Sequence, residues 1–204
     1  MPFLPARGDR LPARFAQLLG GLALFGTSIA LIVHAELGVM PWTVLEQGLT
    51  NAVGLSIGVW SVLVGLLLLA VSMWLGLRPG VGTLLNIVLV GLTIDAVLAV
   101  LPPLEGLPLR VGALVLGIAL NGVATGAYIG AGLGHGPRDG LVTSLAGRTG
   151  RTLRLTRTVV EIGVVVLGVV LGGQLGAGTV VFALAIGPLM HFFVPLLDMR
   201  SSSV

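Results

Sequence analysis

Two short stretches of this 204-residue chain carry residue types on which chemistry could be built. They read Leu37-Gly38-Val39-Met40-Pro41-Trp42-Thr43-Val44-Leu45 and Leu133-Gly134-His135-Gly136-Pro137-Arg138-Asp139-Gly140-Leu141. Glycine permits a sharp bend, and proline suits the first turn of a new helix because its missing N–H costs nothing there. The helices that follow should end near Gly54 and Gly150. About 12 residues of helix span only about 18 Å, half a bilayer. Two readings stay open for them. As re-entrant half-helices they would turn N–H groups and positive dipole ends toward an anion or polar solute. Pro41, Trp42, Thr43, Pro137, Arg138 and Asp139 are then the candidate substrate-binding residues. As amphipathic helices on the membrane surface, the first would lay Trp42, Leu45, Leu49 and Val53 against lipid. Asp139 would either cap free N–H groups or meet a cation. If it caps, Arg138→Gln should weaken binding and leave folding nearly intact.

A second set of polar residues sits inside apolar runs, where each charge needs a partner or a task. Arg157 and Glu161 are one helical turn apart on one face. They make either an ion pair or a titratable carboxylate coupled to proton movement. Asp95 and His191 fall at equivalent positions of an internal repeat and are further candidates for proton coupling.

The elements that must position these residues are transmembrane helices. Only 9% of the chain is charged and 55% is hydrophobic, with a mean hydropathy of +1.08; soluble domains carry about 25% charged residues. Six stretches are long and apolar enough to cross about 30 Å of hydrocarbon: Phe15–Val33, Ile57–Leu77, Val81–Leu101, Val111–Ile129, Leu153–Leu171 and Gly178–Leu197. All eleven basic residues are arginine. With the N-terminus inside, Arg7, Arg10, Arg14, Arg78, Arg200 and the five between Arg138 and Arg157 are cytoplasmic, and only Arg110 is outside. The positive-inside rule therefore places both termini in the cytoplasm. A removable secretory signal is not expected, because no small-residue cleavage site follows the first apolar run.

Shifted by 96 residues, the chain matches itself at 22 positions over residues 11–100, eight of them glycine on glycine. Gly80-x-Gly82-Thr83, for example, meets Gly176-x-Gly178-Thr179. Residues 11–106 and 107–200 are thus read as two repeats within one membrane domain, 1–204. Each holds three spans, an odd number, so the second must be inverted relative to the first. Many transporters share that plan, with substrate sites at the repeat interface near mid-membrane. The fold expected is all-α: six transmembrane helices plus two half-helices.

The chain has no cysteine. It also lacks a phosphate loop, a zinc-protease H-E-x-x-H, a G-x-S-x-G elbow and a dinucleotide fingerprint. No catalytic residue, metal or cofactor is expected. Partners would be a small molecule or ion, membrane lipids and a second copy of the chain, and not nucleic acid.

Leu37-Gly-x-x-Pro41-Trp42, Gly136-Pro137-Arg138-Asp139-Gly140-Leu141, Arg157-x-x-x-Glu161 and the stretch from Leu171 to Gly187-Pro188 carry a resemblance. Through them the chain resembles the YczE/YyaS/YitT group of bacterial integral membrane proteins over nearly its whole length. The resemblance implies a multi-pass membrane protein with a transport role and names no substrate. The reading is therefore a small-solute secondary transporter of the bacterial cytoplasmic membrane, not an enzyme. The alternatives are a channel on an aquaporin-like plan and a non-transporting accessory or lipid-interacting protein.

Overall fold

Proline in the first turn begins four helices, Pro12, Pro41, Pro108 and Pro137, and the rest follow the apolar runs between glycine-rich breaks. The computed structural model describes residues 10–199. Arg7 and Arg200 lie outside them. In chain order the helices are α1 (Leu11–His34), α2 (Pro41–Val53), α3 (Ile57–Trp74), α4 (Val81–Val100), α5 (Leu107–Gly130), α6 (Pro137–Thr149), α7 (Leu153–Val170) and α8 (Ala177–Leu196). Among the described residues there is no strand. α1 and α5 begin four residues before the spans expected at Phe15 and Val111, because Pro12 and Pro108 start each helix earlier.

Five helices, α1, α3, α4, α5 and α8, are long and apolar enough to cross a membrane. The sixth expected span, α7, has 18 residues but carries Arg154, Arg157 and Glu161, and is not among them. The chain is an all-helical, multi-pass membrane protein.

The helix ends keep one offset. α1, α2, α3 and α4 have 24, 13, 18 and 20 residues, and so do α5, α6, α7 and α8, each beginning 96 residues later. α1 lies along α5, and its start meets the end of α5. Arg14 Nε donates to Ala131 O at 2.7 Å, while Arg110 at the start of α5 pairs with Glu36 beyond the end of α1 at 2.8 Å. The two helices are therefore antiparallel. Leu18, Leu22, Ile29 and Ile118 fill the core between them and α4.

The glycine motifs tie one half to the other. Gly82 N donates to Leu133 O at 2.9 Å, and Gly178 N donates to Leu37 O at 2.7 Å. These carbonyls belong to the Leu-Gly bends ahead of α6 and α2. Gly38 and Gly134 hold φ values of 109° and 144°, where a side chain is strained. Small residues at such crossings let backbones approach, the way helices associate in lipid.

One interface breaks the pattern. α3 packs along α4, whereas α7 and α8 share no comparable contact. On α3, Gly58 lies against Gly91 and Gly65 against Ile87, with the small, buried Ser61 between them in sequence. Their counterparts 96 residues later on α7 are the bulky, charged Arg154, Arg157 and Glu161, which line the groove between α7 and α8. Asp95 closes the α3–α4 side further: it accepts from Gly58 N at 2.8 Å and from Ser56 Oγ, capping α3.

Candidate functional site

The two 13-residue helices bridge the halves: α2 packs chiefly on α7 and also on α3, and α6 chiefly on α3 and also on α7. Thr43, Val44, Glu46 and Gly48 are buried, while Val53 at the far end is 65% exposed. α2 is thus enclosed by protein along most of its length, and Trp42 is buried, not an exposed surface anchor.

Both helices begin at a shared cavity of about 140 Å³, in which Pro41 and Trp42 lie near Pro137, Arg138 and Asp139. Arg157 and Glu161 of α7 also line it, as do the amides of Asn86 and Asn121. Phe25, Met40, Phe182 and Met190 supply an apolar wall. A cavity of about 150 Å³ holds a benzene-sized molecule. From it a groove of about 750 Å³ runs between α6, α7 and α8, past Arg154, Ala183 and Ile186, through the gap that α7 and α8 leave.

The charges form two linked pairs. Arg138 Nη2 donates to Glu46 Oε1 at 2.5 Å, and its guanidinium lies 5.5 Å from the Trp42 ring centre, within cation–π range. Arg157 pairs with Asp139 and lies 3.7 Å from Glu161. Tyr128 Oη donates to Asp139 Oδ2 at 3.1 Å and stands edge-on to Phe25. The cluster holds two guanidiniums and three carboxylates.

Several expectations change here. Asp139 does not cap α6; its carboxylate goes to Tyr128 and Arg157. The Arg157–Glu161 pair is the looser of the contacts Arg157 makes, because Asp139 approaches closer. Thr43 does not line the cavity but is buried, as is Glu46. Asp95 is occupied as a cap, and His191 is exposed on α8; neither lines the cavity. Arg138→Gln would not leave folding intact, since Arg138 is the ion partner of a carboxylate with no exposed surface.

Sequence reasoning missed Glu46 and Ser61. Ser61 Oγ lies 3.5 Å from Arg138 Nη2. The signal for Glu46 was present: it is the sole charge in a short apolar helix, one turn beyond Trp42. Among the described residues, no group of three or more His, Cys, Asp or Glu is arranged to hold a metal ion.

Comparison with known proteins matches residues 12–195 to a family of unknown function, DUF6198. An uncharacterized protein of Haemophilus influenzae is 39% identical over 180 residues, 88% of this chain and 83% of its own length. The uncharacterized membrane protein YczE of Bacillus subtilis is 32% identical, over 92% of this chain and 88% of its own. YyaS, an uncharacterized protein of the same organism, is 28% identical over 87% and 90%. No solved structure matches the chain.

Proposed function

The chain belongs to the DUF6198 family, a family of unknown function, and from its central cavity we propose that it is a small-solute secondary transporter. The carrying observation is the unequal packing around one site. The cavity is built from both halves and sealed where α3 meets α4, yet leads into a groove where α7 parts from α8. A site walled where α3 meets α4 and opening into a groove beside α7 suits alternating access better than a continuous pore.

In this reading the halves are inverted repeats related by an axis in the membrane plane. The antiparallel α1 and α5, the common offset of the helix ends and the matched Gly82–Leu133 and Gly178–Leu37 hydrogen bonds all support it. α7 serves as the sixth span, its charges facing the cavity and groove, and α2 and α6 are re-entrant. The arginine bias supports a bacterial cytoplasmic membrane location with both termini and the groove facing inward.

Orientation is tested with an impermeant thiol reagent on the cysteine-free background. Ala52→Cys and Thr149→Cys are both exposed sites, and Ala52 avoids Asn51, whose amide donates to Gly172 O at 2.7 Å. They should label from opposite sides, and labelling of both from one side overturns the inverted arrangement. For transport, proteoliposomes are loaded from a bacterial metabolite extract and their contents read by mass spectrometry. Saturable, gradient-driven accumulation over empty liposomes is expected. Non-saturating flux would mark a channel, and no flux with a stable co-purifying partner would mark an accessory protein.

A further inference from the structure

Glu46 is fully buried and is not part of the cavity lining; Arg138, which does line the cavity, is its ion partner. Arg138 occupies only Oε1. Glu46 Oε2 makes no well-formed hydrogen bond, and neither does Thr43 Oγ1, nearly one turn earlier on the same helix, although the Thr43 and Ser61 hydroxyls stand near the carboxylate. An ionised oxygen left unpaired in a dry interior is costly. A proton on Oε2 would remove the buried charge and let the acid donate to a hydroxyl such as that of Thr43.

The surroundings leave Arg138 as the charged group that faces Glu46. α6 contributes Arg138, α3 contributes the Ser61 hydroxyl, and α2 itself contributes Thr43. α7 meets α2 through Gly168 and Leu171 against Gly48, while its Arg157 and Glu161 cluster with Asp139. Protonation at Glu46 would therefore act on Arg138 first.

We infer that Glu46 and Arg138 form a proton-operated switch for a small monocarboxylate with an apolar body. With Glu46 ionised, its Oε1 holds the Arg138 guanidinium, and three carboxylates oppose two guanidiniums around the cavity. When Glu46 Oε2 takes a proton from water, the Arg138–Glu46 ion pair is lost and the guanidinium turns to the solute carboxylate. The cluster is then balanced, and the N-termini of α2 and α6 add positive dipole ends. Phe25, Met40, Phe182 and Met190 accept the apolar body. One proton enters with one negative charge, so the loaded site is electrically unchanged. The inference rests on reading the cavity as the solute site.

Benzoate is the probe, because the cavity is benzene-sized and a detergent-solubilised sample avoids its passive leakage across liposomes. Calorimetric titration of the full chain, in buffers of different ionisation enthalpy, counts the protons taken up. Uptake of about one proton per benzoate is expected, with affinity falling about tenfold per pH unit once Glu46 is ionised. Glu46→Gln, which mimics the protonated acid, should bind benzoate with no pH dependence and no proton uptake. The double variant Glu46→Gln/Arg138→Gln should bind about 10- to 100-fold more weakly than Glu46→Gln. Binding without proton uptake, no benzoate binding at acid pH, or binding of tetramethylammonium in its place overturns the switch. If Glu46→Gln fails to fold, the proton count on the unaltered protein decides. Solute accumulation in proteoliposomes without this proton uptake sinks the switch alone. Proton-linked benzoate binding without any accumulation sinks the transporter reading alone.

Discussion

Replacing Arg138 by glutamine should strip the fully buried Glu46 of its ion partner and destabilise the protein by about 3–5 kcal/mol at neutral pH. The magnitude comes from the imbalance and not from the bond. Two charges taken out of water together offset much of their cost, whereas a carboxylate left behind must stay as an unpaired charge or take up a proton. The loss should therefore shrink as pH falls. The double variant Arg138→Gln/Glu46→Gln has no interior charge at this position and should recover most of the loss. Thermal unfolding in detergent, followed by intrinsic tryptophan fluorescence, reads the three proteins side by side. Equal losses in single and double variants would mean that Arg138 stabilises by packing on Trp42. Arg157→Gln makes a useful contrast, because both Arg157 and Asp139 keep exposed surface and solvent screens the loss.

Gly168→Leu should be comparably damaging for a steric reason. Gly168 of α7 lies on the backbone of Val44 and Leu45 of α2, where an added Cβ would sit 2.6 Å from Leu45 N. Backbone cannot swing aside as a side chain does, so α7 must separate from α2 and carry Arg157 away from Asp139. Overpacking of this kind costs about 1–3 kcal/mol and sometimes more. Gly163→Leu, on the same helix with open space around it, should change stability by no more than about 0.5 kcal/mol. Comparable melting temperatures for the two variants would show that the α2–α7 crossing is loose.

Much of the architecture follows from local chemistry, and it was readable for that reason. Pro41 and Pro137 start the half-helices where a missing N–H is harmless, and Gly54 and Gly150 end them. Arg138 and Asp139 stood out as one candidate set and Arg157 and Glu161 as another, but their gathering at one cavity was not anticipated. Pairing was not legible. Glu46 and Arg138 are 92 residues apart, and nothing local to either says which cation meets which carboxylate. The Arg157–Glu161 spacing suggested a partner one turn away, yet Asp139 on the adjacent helix wins by approaching closer. The open side of the cavity was written in Gly58, Ser61 and Gly65 against Arg154, Arg157 and Glu161. It became readable only once α3 and α7 were known to occupy matching places.

The crossed packing of α2 on α7 and α6 on α3, around the antiparallel α1 and α5, bears on how the chain can be divided. Each short helix makes its larger contact with a long helix of the other half and a smaller one with its own. Cut within residues 101–106, the chain should give two fragments that are degraded when made singly and protected when made together. They would then co-purify through a tag on one of them. A half that accumulated alone, with its short helix resistant to protease, would mean that the crossed packing is a late docking step and not a condition of folding.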